Sequence, residues 1–169
     1  MIDSARRLMI KKLDLSTITL DEAFCVGTRE IFEEKIVFNQ TLGLKIDALA
    51  PLNCMAHILM KPSLVGHYAY NRVHGGVISA CLDAMGGLAV MCAIGAQHHE
   101  EPAAERLKRF AKLGTIDLRV DYLRPAIGEK FILKAEVLRL GSRVANTRME
   151  FCAEDGTLLS AGAAAYIVS

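Results

Sequence analysis

The chain of 169 residues lacks an excess of charge of either sign: 20 Lys and Arg stand against 19 Asp and Glu, a formal net charge of +1. Such a balance creates no strong field to steer a nucleic acid or an anionic membrane surface, so neither is an expected partner. Paired cysteines are missing as well. Cys25, Cys54, Cys81, Cys92 and Cys152 are odd in number, scattered and without a CxxC spacing. They read as buried free thiols in a reducing cytoplasm rather than a disulfide framework. The first residues carry neither a long apolar stretch nor a small-residue cleavage site, so no export signal is expected. Repeats, low-complexity segments and linkers are also absent, and 52% hydrophobic with 23% charged residues is a globular composition. The length fits one sizeable core.

One long apolar run is present. Residues 73–96 read VHGGVISACLDAMGGLAVMCAIGA, with Asp83 as the single charge. A helix that is apolar all round is buried on all sides, in a protein core or a membrane. Asp83 interrupts the run early, which is costly at a bilayer centre. No membrane span is therefore expected. Wrapping a sheet around the helix is the economical way to bury it, so the rest of the chain should supply strands.

The other segments agree. Ser4 is placed to cap a short basic helix with Arg6, Arg7, Lys11 and Lys12. Thr19 and Glu22 have capping-box spacing, and helical periodicity runs over residues 20–40, interrupted at Gly27-Thr28 and closed by Gly43. Residues 42–46 alternate as a short strand, turning through 50–53 into a partner over 54–61. Residues 63–71 form a loop with His67, Tyr68, Tyr70 and Asn71, and 98–113 a solvated connecting helix. Four strands follow, over 115–124, 130–140, 143–153 and 157–168. The last is rich in Ala and Gly, and Asp155-Gly156 marks the final hairpin. One-sided alternation predicts an antiparallel sheet with one covered face. In the strand at 115–124, that face holds Ile116, Leu118, Val120 and Tyr122.

Two strands, His74-Gly75-Gly76, a long apolar helix with an acid nine residues after the His, and four meandering strands together resemble the hotdog fold. Within that α+β fold the chain is most similar to the phenylacetate-type acyl-CoA thioesterases. The matching residues include Gly86-Gly87, the strand Val120-Asp121-Tyr122-Leu123-Arg124-Pro125 and the turn Gly141-Ser142-Arg143. The resemblance covers residues 42–169 as the hotdog domain, with 1–41 as a helical extension. It implies hydrolysis of an acyl-CoA to free acid and CoA, no cofactor beyond the CoA of the substrate, no metal, and a homodimer or dimer of dimers with the active site between subunits. Relatives often place Asn or Gln several residues before the His. Here His67 and Asn71 are the candidates for that task.

The chemistry needs a polarised carbonyl, an activated water or nucleophile, and a grip on CoA. Amides at the start of a helix suit the first, and the resemblance points to the N–H of Gly75, with Gly76 beside it. Asp83 is either a general base on water or a nucleophile forming an anhydride; the structural alternative is an Asp satisfied by hydrogen bonds. His74 either polarises the thioester or holds the loop. Arg143 and Arg124 are candidates for the CoA phosphates. His57, His98 and His99 do not form a metal-ligand pattern. A hotdog hydratase or dehydratase and a non-catalytic acyl-CoA binding protein are the competing functions.

Overall fold

A computed structural model describes residues 14–169; the basic helix expected around Ser4 lies outside the described residues. Asp21, rather than Thr19, caps the first helix, its carboxylate accepting from the Phe24 N–H at 3.1 Å. Helix α1 (Glu22–Arg29) runs without a break through Gly27 into a π-helical segment, Glu30–Lys35. The expected interruption at Gly27-Thr28 does not occur there. Gly27 is small for a packing reason: a Cβ would lie 2.3 Å from a Leu107 methyl. The break falls at Ile36, before α2 (Val37–Leu42), and the buried Asn39 amide donates to the Phe32 carbonyl across it. Gly43 ends α2 in the left-handed region, φ 75°.

Strands β1 (Lys45–Leu49) and β2 (Asn53–Leu59) form the expected hairpin. The loop after it holds a small antiparallel pair, β3 (Val65–His67) and β4 (Arg72–Val73). Next comes the central helix α3 (Gly75–Gln97), then the short α4 (Ala103–Lys108). Four strands complete the chain: β5 (Gly114–Tyr122), β6 (Lys130–Leu140), β7 (Val144–Ala153) and β8 (Leu158–Ile167). The main sheet is antiparallel with order β1-β2-β6-β7-β8-β5. The length and composition of α3 would allow a membrane crossing, but the sheet wraps it instead. Leu82, Met85, Leu88 and Met91 pack with Phe131, Leu133, Met149 and Phe151 in the core.

Three expectations are corrected. The helix α3 is not buried on all sides: Gly76, Ser79, Ala80, Asp83 and Ala84 leave an open face on its first half. The segment after α3 is not merely solvated. Arg106 is 2% exposed, stacks over the Phe24 ring at 4.8 Å, and donates to the Asp21 carboxylate and to the Gly95 carbonyl at 3.3 Å. In β5, a bulge between Thr115 and Asp117 breaks the alternation, and Ile116 and Tyr122 remain exposed.

The two edges of the sheet differ. At β1 the peptide of Ile46 is capped by side chains: its N–H donates to Glu33 at 2.8 Å and its carbonyl accepts from Arg29. At β5 no such cover appears among the described residues, and Ile116, Tyr122 and Leu123 are exposed.

Candidate active site

His74 is the N-cap of α3, and its Nδ1 accepts the Gly76 N–H at 2.8 Å. An amide can only donate, so the imidazole proton sits on Nε2 in this arrangement. The Gly76 N–H is thereby committed. The N–H groups of Val77 and Ile78 both donate to the His74 carbonyl. The Gly75 N–H has no acceptor among the described residues, and it stands at the positive end of a 23-residue helix. Gly66 fits against His74 so tightly that a Cβ would lie 2.5 Å from the His74 Cα. The Tyr122 hydroxyl donates to the Gly75 carbonyl at 2.9 Å and ties the helix start to β5. Gly75, His74, Arg72, Tyr122 and Arg124 border a cavity of about 530 Å³.

Asp83 lies on the open face of α3, half-buried. Its Oδ1 accepts from the Thr115 hydroxyl at 2.8 Å and from the Tyr166 hydroxyl at 3.2 Å. The same Tyr166 hydroxyl lies 2.9 Å from the Asp83 carbonyl. Burial, with the Asp83 charge beside it, pushes the Tyr166 phenol well above its ordinary range, so it serves as a neutral donor. Tyr166 reaches this point because Gly86 has no side chain: a Cβ there would lie 2.2 Å from the phenol oxygen. Asp83 borders a second cavity, of about 260 Å³. Eight residues of helix separate it from Gly75, a rise of about 12 Å. Within one chain the acid and the free amide therefore face different cavities.

The remaining candidates are dispersed. Arg124 borders the Gly75 cavity and donates from Nη1 to the Leu158 carbonyl at 2.9 Å. Arg143 stands by the β6–β7 turn, whose Gly141 and Ser142 share a cavity with Ile94 and Gln97 near the far end of α3. The His67 ring stacks on Tyr68, centroids 5.8 Å apart, and meets Tyr70 at a tilt, centroids 4.8 Å apart. Asn71 is left-handed, φ 47°, and borders another cavity with Lys61 and Gly128. Neither His67 nor Asn71 borders the Gly75 cavity. Cys81 is buried on α3, its thiol pushed up to about 12 by desolvation, which leaves it a poor nucleophile near neutral pH. His57 and His98 pair with Asp47 and Glu101. Sequence reasoning did not find Thr115 and Tyr166, because their link to Asp83 spans 32 and 83 residues of chain. Tyr122 was in view only as part of a strand.

Comparison with known proteins identifies the family. A family model described as "Thioesterase superfamily" matches residues 70–160. The chain is 35% identical over 139 residues to the medium/long-chain acyl-CoA thioesterase YigI of Salmonella typhimurium, covering 82% of this chain and 90% of the relative. The protein of the same name from Escherichia coli K12 is 34% identical over the same shares. A crystal structure from Shewanella oneidensis, related to the thioesterase superfamily, superposes with a TM-score of 0.78 at 38% identity, covering 83% of this chain and 92% of that one. Mouse thioesterase superfamily member 2 shares the fold, with a TM-score of 0.67 at 20% identity over 85% of this chain and 96% of that one. With its helix-start amide, its lone helical acid and these relatives, the chain belongs to the thioesterase superfamily.

Proposed function

We propose that the protein hydrolyses medium- to long-chain acyl-CoA thioesters at a site shared by two copies of the chain. The observation that carries this reading is the Gly75 N–H, left without an acceptor among the described residues while its neighbour Gly76 is capped by His74. The thioester carbonyl oxygen accepts from that amide. As the carbonyl carbon becomes tetrahedral, the helix dipole stabilises the oxyanion. Asp83 of the other copy takes a proton from water, whose oxygen attacks the carbonyl carbon. Collapse of the intermediate breaks the C–S bond and expels CoA as the thiolate. In the nucleophilic variant, a carboxylate oxygen of Asp83 attacks the carbonyl carbon, the C–S bond breaks to expel CoA as the thiolate, and water then cleaves the resulting anhydride to the free acid and the Asp83 carboxylate. Thr115 and Tyr166 leave one carboxylate oxygen, Oδ2, outside their hydrogen bonds. Either route uses that oxygen.

Two copies are needed because about 12 Å of helix separates amide from acid in one chain. The exposed β5 edge suits isologous pairing with a second copy. Arg124 and Arg72, which both border the Gly75 cavity, are suited to the CoA phosphates. Arg143, by the turn near the far end of α3, borders neither the Gly75 cavity nor the Asp83 cavity. The chain-length class follows the name of the bacterial relatives. Free cysteines throughout suit a reducing, cytoplasmic setting.

The test is a panel of acyl-CoA esters assayed by release of free thiol. Turnover is expected, and Gly75→Pro should abolish most of it. Proline removes the N–H, yet it is tolerated at the first helical position. His74 already has the extended conformation that a following proline requires, φ −66° and ψ 137°. Losing one oxyanion donor costs about 10²–10³-fold in kcat. Binding without turnover would instead make the protein an acyl-CoA binder, and a change in enoyl absorbance would make it a hydratase.

A further inference from the structure

We infer that Phe38 of the N-terminal extension, together with Ala84 and Gly87 of α3, sets the length of the acyl chain accepted in the cavity beside Asp83. The inference rests on the acyl-CoA reading above and extends it to a specific subsite. The cavity has a polar end and an apolar end. At the polar end stands Asp83, with the hydroxyls of Thr115 and Tyr166 already turned to it. The one other polar side chain on the described lining is Asn39, and its amide is committed to the Phe32 carbonyl. Beyond Asp83 the walls are Phe32, Ile36, Phe38, Phe110 and Leu113. Phe32 and Phe110 meet edge to face, centroids 5.4 Å apart, and join the N-terminal helices to the segment before β5. A charged reacting group at one end of an apolar slot matches the shape of a thioester with a hydrocarbon tail.

Size and exposure point the same way. The volume of about 260 Å³ exceeds the roughly 150 Å³ of an apolar cavity that binds benzene. Phe38 borders the cavity with 59% of its surface exposed, and the adjacent Val37 is 71% exposed. Adjacent apolar side chains left open beside a reacting acid are surface for a ligand to cover. On the opposite side α3 presents Ala84 and Gly87, which leave the space empty. A Cβ on Gly87 would sit 3.9 Å from Leu113 and Tyr166, ordinary contact distance. Residues 32–39 lie outside the stretch matched by the family model, 70–160. Chain-length selection is thus divided between the extension, through Phe38, and the helix α3 that carries Asp83.

Three variants of the full chain test this: Gly87→Ala and Ala84→Phe, which fill the slot, and Phe38→Ala, which widens it. For each, kcat/KM is measured on butyryl-, octanoyl- and palmitoyl-CoA, with the thermal midpoint taken on the same preparation. Burying one methylene is worth a factor of about four. Filling should therefore lower the palmitoyl-to-butyryl ratio by roughly fourfold or more in Gly87→Ala, and by more than tenfold in Ala84→Phe. Phe38→Ala should move the ratio toward the longer chain. The expected result is opposite displacement by filling and widening. Unchanged ratios in all folded variants, with wild type active on the panel, would overturn the assignment while leaving the thioesterase reading intact. A wild type that hydrolyses none of the three esters overturns that reading, and this one with it. Gly87 has room and Phe38 is exposed, so those two variants carry the comparison if Ala84→Phe fails to fold.

Discussion

Asp83 shows how one side chain can be legible in a sequence while its working state is not. A lone acid inside an apolar helix after His-Gly-Gly marked it at once. The hydroxyls that orient it come from β5 and β8, and no local pattern announces a contact across 32 or 83 residues. Asp83→Asn keeps the shape and a hydrogen-bonding group but removes the base. Its kcat should fall by about 10²–10⁴-fold with the thermal midpoint nearly unchanged. A folded Asn variant with wild-type turnover would remove Asp83 from the mechanism. Neighbouring glycines give a second contrast. Gly86→Ala puts a methyl into the Tyr166 phenol and should destabilise by about 1–3 kcal/mol, while Gly87→Ala should cost far less. Paired denaturant melts of the two variants check this. The sequence shows both glycines alike; only the partner across the gap tells them apart.

At the scale of elements, strand and helix identities were legible because their periodicities are strong, and β6, β7 and β8 fall close to their expected bounds. The departures have physical causes. In β5 one extra residue, Ile116, breaks the alternation, and a bulge has no signature in an apolar-polar pattern. The segment after α3 looked solvated because it is rich in charge, yet Arg106 is buried over Phe24 and held by Asp21. That pairing gives a pH-dependent stability. The Arg106 guanidinium, through its hydrogen bond, holds the Asp21 carboxyl below its ordinary range. The folded chain therefore releases this proton more readily than the unfolded one. The resulting stabilisation is present above the unfolded carboxylate pKa, about 3.9, and is lost as pH falls through the lower folded value. Asp21→Ala also removes the N-cap of α1, a loss of about 0.5–2 kcal/mol near neutral pH. Melting curves against pH should show a lower midpoint for this variant near pH 7, and a gap to wild type that narrows in acid. A gap that stays constant into acid would show that the Arg106 contact adds nothing.

At the scale of the whole molecule, a shared site makes a prediction no single chain can meet. Asp83→Asn and Gly75→Pro are each expected to be nearly inactive alone. If amide and acid come from different copies, a mixed dimer holds one intact site and one doubly damaged one. Random reassortment of equal amounts should then restore roughly a quarter of wild-type activity. No recovery after verified subunit exchange would place amide and acid in the same chain. Light scattering at micromolar concentration should find a dimer or a multiple of it. The fold was readable from the order of segments. A site between subunits was implied by the resemblance, but the distance between the Gly75 amide and Asp83 was not readable, since spacing along a helix becomes a distance only once the helix is known to be straight and continuous. The capped peptide at Ile46 has a consequence of its own. A sheet with two open borders has a valence of two and can propagate into an endless ribbon. With the β1 border blocked at Ile46 the valence is one, and growth through β5 pairing would stop when two chains had met. In an assembly paired through β5, Glu33 and Arg29 would thus act as chain terminators.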